Sequence, residues 1–407
     1  MTLEKQFDKI LEKYTTTEVN ALKGLAFIVV DKHGDTLYSK AVGSREIDIT
    51  SGSHLHIDSV FYIASLTKAI TTLACMIAVE NGLLALDENV RDIVPELQKV
   101  ECLIGFEESD KFPRKPILED VTDPISLRQL LSHSSGFIYD QLHPGILEWS
   151  QYVGRTDHTF TGSLAGYTHP LIFRPGQGWA YGPGMDWAGR TIEVVSGLTL
   201  EEFMQKNIFS RLGMNDTTFR AELRPDFPAR TMATAWRDRE TGLLSTGVVP
   251  LALPAKDCCG GAGLYSTPED FSKILKLMLQ EGGDILSKES IDEMMKPQLP
   301  DLRWFWDVTT GPSKRHLAQT WPEGAKGTFG LSSSINLEDF PGRRPRNSVN
   351  WSGMPGCHAW VDREAGISGL LMTQVFPPGD PMVTKCLLEL ETALYTHLRE
   401  GTPTIWK

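Results

Sequence analysis

The two ends of the chain carry one pattern in opposite order, and this symmetry constrains the fold more than any other feature. Leu3, Phe7, Ile10, Leu11 and Tyr14 recur at helical spacing and predict an amphipathic first helix. Two apolar runs follow, GLAFIVVD (Gly24 to Asp31) and TLYSKAVG (Thr36 to Gly43). Between them Lys32, His33, Gly34 and Asp35 have the composition of a hairpin turn. At the other end, CHAWVD (Cys357 to Asp362) and ISGLLMTQVF (Ile367 to Phe376) read as strands around the turn Arg363 to Gly366. Val383, Leu387, Leu390, Leu394 and Leu398 then form a closing amphipathic helix. Helix, strand, strand at the start and strand, strand, helix at the end predict one antiparallel sheet packed by the terminal helices, an α+β arrangement.

Between these ends the texture changes. From about Asp87 to about Ala255 short helical stretches, such as SLRQLLSHSSGF and TLEEFMQKNIFSRLG, are broken by Pro and Gly clusters. The 407 residues leave room for two units. The expected organisation is a discontinuous sheet domain, residues 1–88 and 255–407, split by a mostly helical insertion, 89–254, with the site at their interface. A net charge of -12 disfavours polyanions, so neither nucleic acid nor a membrane surface is an expected partner. No run approaches the ~20 apolar residues of a membrane span, and MTLEKQFDKILEKY is too charged for a signal peptide. Six cysteines without a CxxC pair suit a reducing cytoplasm.

The chemistry concentrates in SVFYIASLTKAITTLACMIAVENG. From Ala69 to Val79 it is apolar nearly all round, which predicts a buried helix stopped by Asn81 and Gly82. Ser65 stands at its start. A serine there is an N-cap, or it is a nucleophile placed where unpaired N–H groups favour an oxyanion. Lys68 decides between these readings. Residues three apart share a helix face, so its amine falls beside the Ser65 hydroxyl. Both the helix dipole and burial disfavour an ammonium on that first turn, so a function that takes or relays the serine proton is the better explanation.

These residues resemble the SxxK region of the serine β-lactamase and penicillin-binding-protein superfamily, in particular its class C-like esterase branch. ISLRQLLSHSSGF, RLGMNDTTF and GGAGLYSTPEDFSKIL look like further blocks of that branch. The resemblance implies a β-lactamase/transpeptidase-like fold, with an all-helical domain inserted in the sheet domain. Its second motif, Tyr-x-Asn, matches FRPGQGWAYGPGMDWAG, which makes Tyr181 the family's catalytic tyrosine. Pro183 stands where the family has Asn and cannot supply that amide. The third motif, Lys-Thr/Ser-Gly, matches Trp351, Ser352 and Gly353. Here the lysine has become Trp351, and a cation that helps bind a β-lactam carboxylate is gone. Gly353 keeps the close backbone approach, leaving the N–H groups of Ser65 and Met354 as oxyanion donors.

YGPGMDWAG, WSGMPG and TQVFPPGD are also similar to fungal acyltransferases of the statin side-chain type. The implied activity is transfer of an acyl group from a thioester or ester donor to an alcohol of a secondary metabolite, through an acyl-serine. A hydrolase using the same residues is the alternative; a β-lactamase, a D-Ala peptidase and a non-catalytic binding protein follow behind. The expected partners are a small acyl donor and an alcohol acceptor, with an acyl-carrier protein as a further candidate. No metal or organic cofactor is implied, and the chain has no GxSxG, HExxH or GxxxxGK[ST] sequence.

Other side chains have structural readings. His133 in LLSHSSG is expected to make a structural hydrogen bond. His358 follows the third motif with its facing undecided, because alternate strand residues point opposite ways. Arg343, Arg344 and Arg346 are expected in a solvated loop. Of Trp304, Trp306, Trp321, Trp351 and Trp360, only Trp351 is expected at the site.

Overall fold

The structure, a computed structural model, describes residues 2–16, 20–48 and 52–400. Strand β1 (Gly24–Asp31) is buried along nearly its whole length because helices cover both of its faces. Phe27 and Val29 point to one hydrophobic core, and Ala26, Ile28 and Val30 to another. That two-sided burial explains why GLAFIVVD is continuously apolar rather than alternating. β1 pairs antiparallel with β2 (Thr36–Gly43) on one side.

The other side of β1 takes the C-terminal part of the chain. Strands β3 (Gly327–Phe329), β4 (Ser334–Asn336), β5 (Val349–Gly353), β6 (Cys357–Asp362) and β7 (Ile367–Met372) complete a seven-stranded sheet in the order β2-β1-β7-β6-β5-β4-β3. The join between the two ends is antiparallel, with Ala26 opposite Met372 and Asp31 opposite Ile367.

Helices α1 (Leu3–Thr16) and α5 (Pro381–Arg399) pack on one face, where Phe7, Leu11, Phe27, Trp360, Leu387 and Leu390 interlock. Each such fully buried side chain contributes about 1.5–3 kcal/mol. The opposite face carries α2 (Thr67–Glu80) and α4 (Pro268–Leu279), and α3 (Gly184–Ser196) packs on α2, so that the core runs without a break into the central part of the chain. Among the described residues, no helix is long and apolar enough to cross a membrane.

Three expectations require correction. The stretch 89–254 is not wholly helical: Glu101–Phe106 and Pro116–Asp120 pair as an antiparallel hairpin, and Ala235–Arg237 and Leu244–Thr246 form another short ladder. The hairpin's inner side chains are few and its outer face is exposed, so the alternation is too weak to read from sequence. The run Ile367 to Phe376 is two strands, because Val375–Phe376 leaves the main sheet to pair in parallel with Ala235 and Trp236.

The third correction concerns the arginine loop. Arg344 is 2% exposed and Glu391 on α5 is 0% exposed. Arg343 Nη1 and Arg344 Nε lie 3.4 and 3.6 Å from its carboxylate, so two of the three arginines anchor the loop to the terminal helix instead of facing solvent. Arg346 remains at the exposed side, with its N–H on Asp339. Removing one partner of a buried ion pair strands the other charge, so Glu391→Ala should lower stability by about 3–5 kcal/mol in urea unfolding. An unchanged midpoint would show that the loop is held by packing alone.

Candidate active site

The segment before α2 turns sharply. Ala64 has φ 44°, a left-handed conformation that costs a non-glycine residue roughly 1–3 kcal/mol. Ser65 follows it in the single 3-10 turn Ala64–Leu66, and α2 begins two residues later. Neither the turn nor α2 is capped by a side chain, so the N-cap reading of Ser65 does not hold. Its hydroxyl has other partners. Lys68 Nζ lies 3.0 Å from Ser65 Oγ, and Tyr181 OH lies 2.7 Å from the same oxygen.

Lys68 is fully buried. Burial of an amine requires acceptors, and three surround it: Ser65 Oγ, the Gly261 carbonyl at 2.7 Å and Tyr139 OH at 3.3 Å. The Gly261 contact belongs to a loop that lies along α2. The Gly260 carbonyl accepts from the Thr71 hydroxyl at 2.7 Å, and Leu264 N–H donates to Thr67 Oγ1 at 3.1 Å. Lys68 Nζ also stands 4.7 Å from the centre of the Tyr181 ring, whose face stabilises the ammonium once the amine has taken a proton.

Tyr181 is fixed from the backbone outward. Ser126 and Gln129 form a capping box that starts the helix Leu127–Leu131, and His133, at φ 58°, turns the chain back afterwards. The His133 carbonyl accepts Ala180 N–H at 3.0 Å, and Tyr139 N–H donates to the Tyr181 carbonyl at 3.2 Å. His133 Nδ1 accepts Gly182 N–H at 3.4 Å, the structural bond expected of it. Burial holds His133 well below the usual histidine range and therefore neutral. Pro183 is the N-cap residue of α3.

The third segment arrives on β5. Gly353 packs directly on the Ile63–Ala64 turn: a Cβ there would sit 2.3 Å from the Ile63 carbonyl oxygen. This close approach brings Trp351, Ser352, Gly353 and Met354 to the same cavity as Ser65 and Tyr181. Trp351 lies against Tyr181 and Phe329, with ring centroids 5.2 Å from each. The cavity measures about 250 Å³, and among the described residues no Asp, Glu, Lys or Arg lines it.

The remaining candidates fall elsewhere. His358 is buried outside the cavity, driven to about 3 by burial and by Arg344. Trp321 lies in an aromatic cluster behind Tyr181 and Trp351, and Trp360 lies in the core under the terminal helices. Sequence reasoning missed Tyr139, Gly261 and the wall contributed by His316, Leu317 and Gln319. Tyr139 stands just beyond the SHSSGF block, but no spacing rule ties it to Lys68; only the fold does.

Residues 7–393 match the Beta-lactamase family. The chain belongs to the beta-lactamase family. Among relatives of this family member, a lovastatin esterase of Penicillium rubens is 35% identical, over 89% of this chain and 91% of that protein. A monacolin J acid methylbutanoyltransferase of Aspergillus terreus is 30% identical, over 93% of each. A mutant simvastatin synthase from Aspergillus terreus, LovD6, superposes with a TM-score of 0.88 at 28% identity, covering 98% of this chain and 96% of that one. The antiparallel sheet and the β-lactamase/transpeptidase-like fold expected from the sequence are therefore those of this family member.

The close approach of β5 in this beta-lactamase family member is directly testable. Gly353→Ala must push β5 from the Ile63–Ala64 turn, and overpacking of this kind should cost about 1–3 kcal/mol in urea unfolding. Wild-type stability in that variant would mean that the turn yields freely.

Proposed function

We propose that the protein is a serine acyltransferase that moves an acyl group from a thioester or ester donor to an alcohol through an acyl-Ser65 intermediate. The observation that carries the reading is the single oxygen, Ser65 Oγ, held by both Lys68 Nζ and Tyr181 OH beside an uncharged cavity. In the first step Ser65 Oγ attacks the acyl carbonyl and its proton passes to Lys68, with Tyr181 bonded to the same oxygen. The N–H groups of Ser65 and Met354 receive the oxyanion, and the donor's thiol or alcohol leaves with a proton. In the second step the acceptor alcohol attacks the acyl-serine while its proton passes by way of Tyr181 to Lys68; the intermediate then collapses, the new ester leaves and that proton returns to Ser65 Oγ.

Trp351, Ser352 and Gly353 shape the binding wall. Trp351 supplies apolar surface where a β-lactam carboxylate would need a cation, and Pro183 supplies no amide. Both departures favour neutral acyl groups over penicillins. In the same reading the chain is organised as a sheet domain of residues 1–88 and 255–407 around the insertion 89–254, with the site between them. The reaction belongs in the cytoplasm, and an acyl-carrier protein is a candidate donor.

Hydrolysis is the second reading, favoured by the relative named an esterase. Product analysis with a neutral activated ester, with and without an added alcohol, separates the two. Transfer predicts that the alcohol diverts most of the acyl group into a new ester; equal acid release under both conditions would overturn it. Lys68→Ala and Tyr181→Phe should each lower kcat/KM by about 10²–10⁴. Turnover of a chromogenic cephalosporin at a rate comparable with the ester would contradict the roles given to Pro183 and Trp351.

A further inference from the structure

A buried carboxylate lies behind the amine that holds Ser65. Asp186 projects from the first turn of α3 and is 1% exposed. Its Oδ1 accepts Gly261 N–H at 2.9 Å, and the Gly261 carbonyl accepts Lys68 Nζ at 2.7 Å. The backbone of one residue therefore connects the carboxylate to the amine. Glycine is required in that position: a Cβ on residue 261 would stand 2.6 Å from Asp186 Oδ2 and 2.8 Å from Tyr139 OH. Oδ2 itself has no hydrogen-bond partner among the described residues, and the Tyr167 phenol is the polar side chain beside the carboxyl. An acid this buried and this sparsely satisfied costs stability, and core packing does not explain its presence.

The groups that face Asp186 come from five elements. They are Lys68 on α2, Tyr62, Tyr139, Tyr167 and Cys259. Burial raises the three phenols well above their ordinary range and pushes the Cys259 thiol to about 12, so all four are neutral at physiological pH. Burial keeps His133, on the other side of Lys68, neutral as well. Asp186, raised by burial to about 6, is the group of this cluster that changes charge near neutrality.

We infer that Asp186 is a positioning residue: through the Gly261 backbone its carboxylate orients the Lys68 amine on Ser65 and stabilises the ammonium formed when the serine proton moves there. The inference rests on the reading of Ser65 as nucleophile. In that step the Oγ–H bond breaks, an Nζ–H bond forms, and Oγ bonds to the acyl carbon while the carbonyl electrons move to oxygen. Positive charge appears on Lys68, one residue's backbone away from a fixed anion. A chain of hydrogen bonds in a low-dielectric interior transmits that stabilisation cooperatively.

The geometry has a pH signature. Burial raises the Asp186 carboxyl to about 6. Above that value the carboxylate is present; as the pH falls through it, Asp186 takes a proton and the support for the ammonium is lost. The same sign means that the charged form burdens the fold at pH 7. Asp186→Asn relieves that burden, keeps an acceptor for Gly261 N–H and should melt no lower than wild type.

The test is the rate of Ser65 acylation between pH 5 and 8, read by intact mass after rapid mixing with a neutral activated ester. Wild type should lose rate as pH falls through about 6, approaching roughly tenfold per pH unit below it. Asp186→Asn should acylate roughly tenfold or more slowly at pH 7.5 and lack that limb. A slower variant with the wild-type limb would make Asp186 merely structural and overturn the inference, as would a variant of wild-type rate. The wild-type profile decides without any variant: no acid limb between pH 5 and 7 overturns it. No adduct on wild type at any pH would instead remove the acyl-enzyme reading, and the inference with it.

Discussion

A buried lysine that must find three acceptors organises this structure. Lys68 is 0% exposed, and an amine taken that far from water is stable only where oxygen atoms replace its hydration. Ser65 Oγ, the Gly261 carbonyl and Tyr139 OH supply them, and each comes from a different segment of the chain. Satisfying one side chain thus brings together the turn before α2, the loop along α2 and the returning loop of residues 133–139. Tyr181 is carried in with the last of these, because Ala180 N–H donates to the His133 carbonyl and Tyr139 N–H donates to the Tyr181 carbonyl.

The sheet and the terminal helices give this arrangement a rigid base. β5 can reach the Ile63–Ala64 turn only because residue 353 lacks a Cβ. The strained Ala64 is tolerated because the strand on one side and α2 on the other fix the segment. A site assembled on strands and helix ends holds its groups more closely than one on free loops. Aromatic packing continues the support outward: Trp179, Phe305, Phe329 and Trp321 back the Tyr181 and Trp351 rings.

Much of this was legible from residue patterns. The terminal helices and the strands Gly24–Asp31, Thr36–Gly43 and Cys357–Asp362 were readable because their periodicity is strong and their turns are marked. Ser65 and Lys68 were readable because helical spacing alone makes them neighbours. Tyr181 required the family resemblance, since 116 residues separate it from Ser65. Tyr139, Gly261 and Asp186 left no local sign of their partners. An acid beside Met185, Trp187 and Ala188 on an otherwise apolar helix face was the one available hint. The arginine loop misled for a related reason: its counter-charge, Glu391, lies 47 residues away on another element.

Specificity follows from what the cavity lacks. Trp351 lines a cavity whose wall around Ser65 carries no full charge among the described residues, which in the proposed reading suits a neutral acyl group. The central claim is that Ser65 alone becomes acylated. Proteolytic mapping of the protein after brief exposure to a neutral activated ester tests it most directly. The account predicts the acyl mass on the peptide that contains Ser65 and on no other, and its loss in Ser65→Ala; an acyl group on any other peptide that turns over with substrate would contradict it.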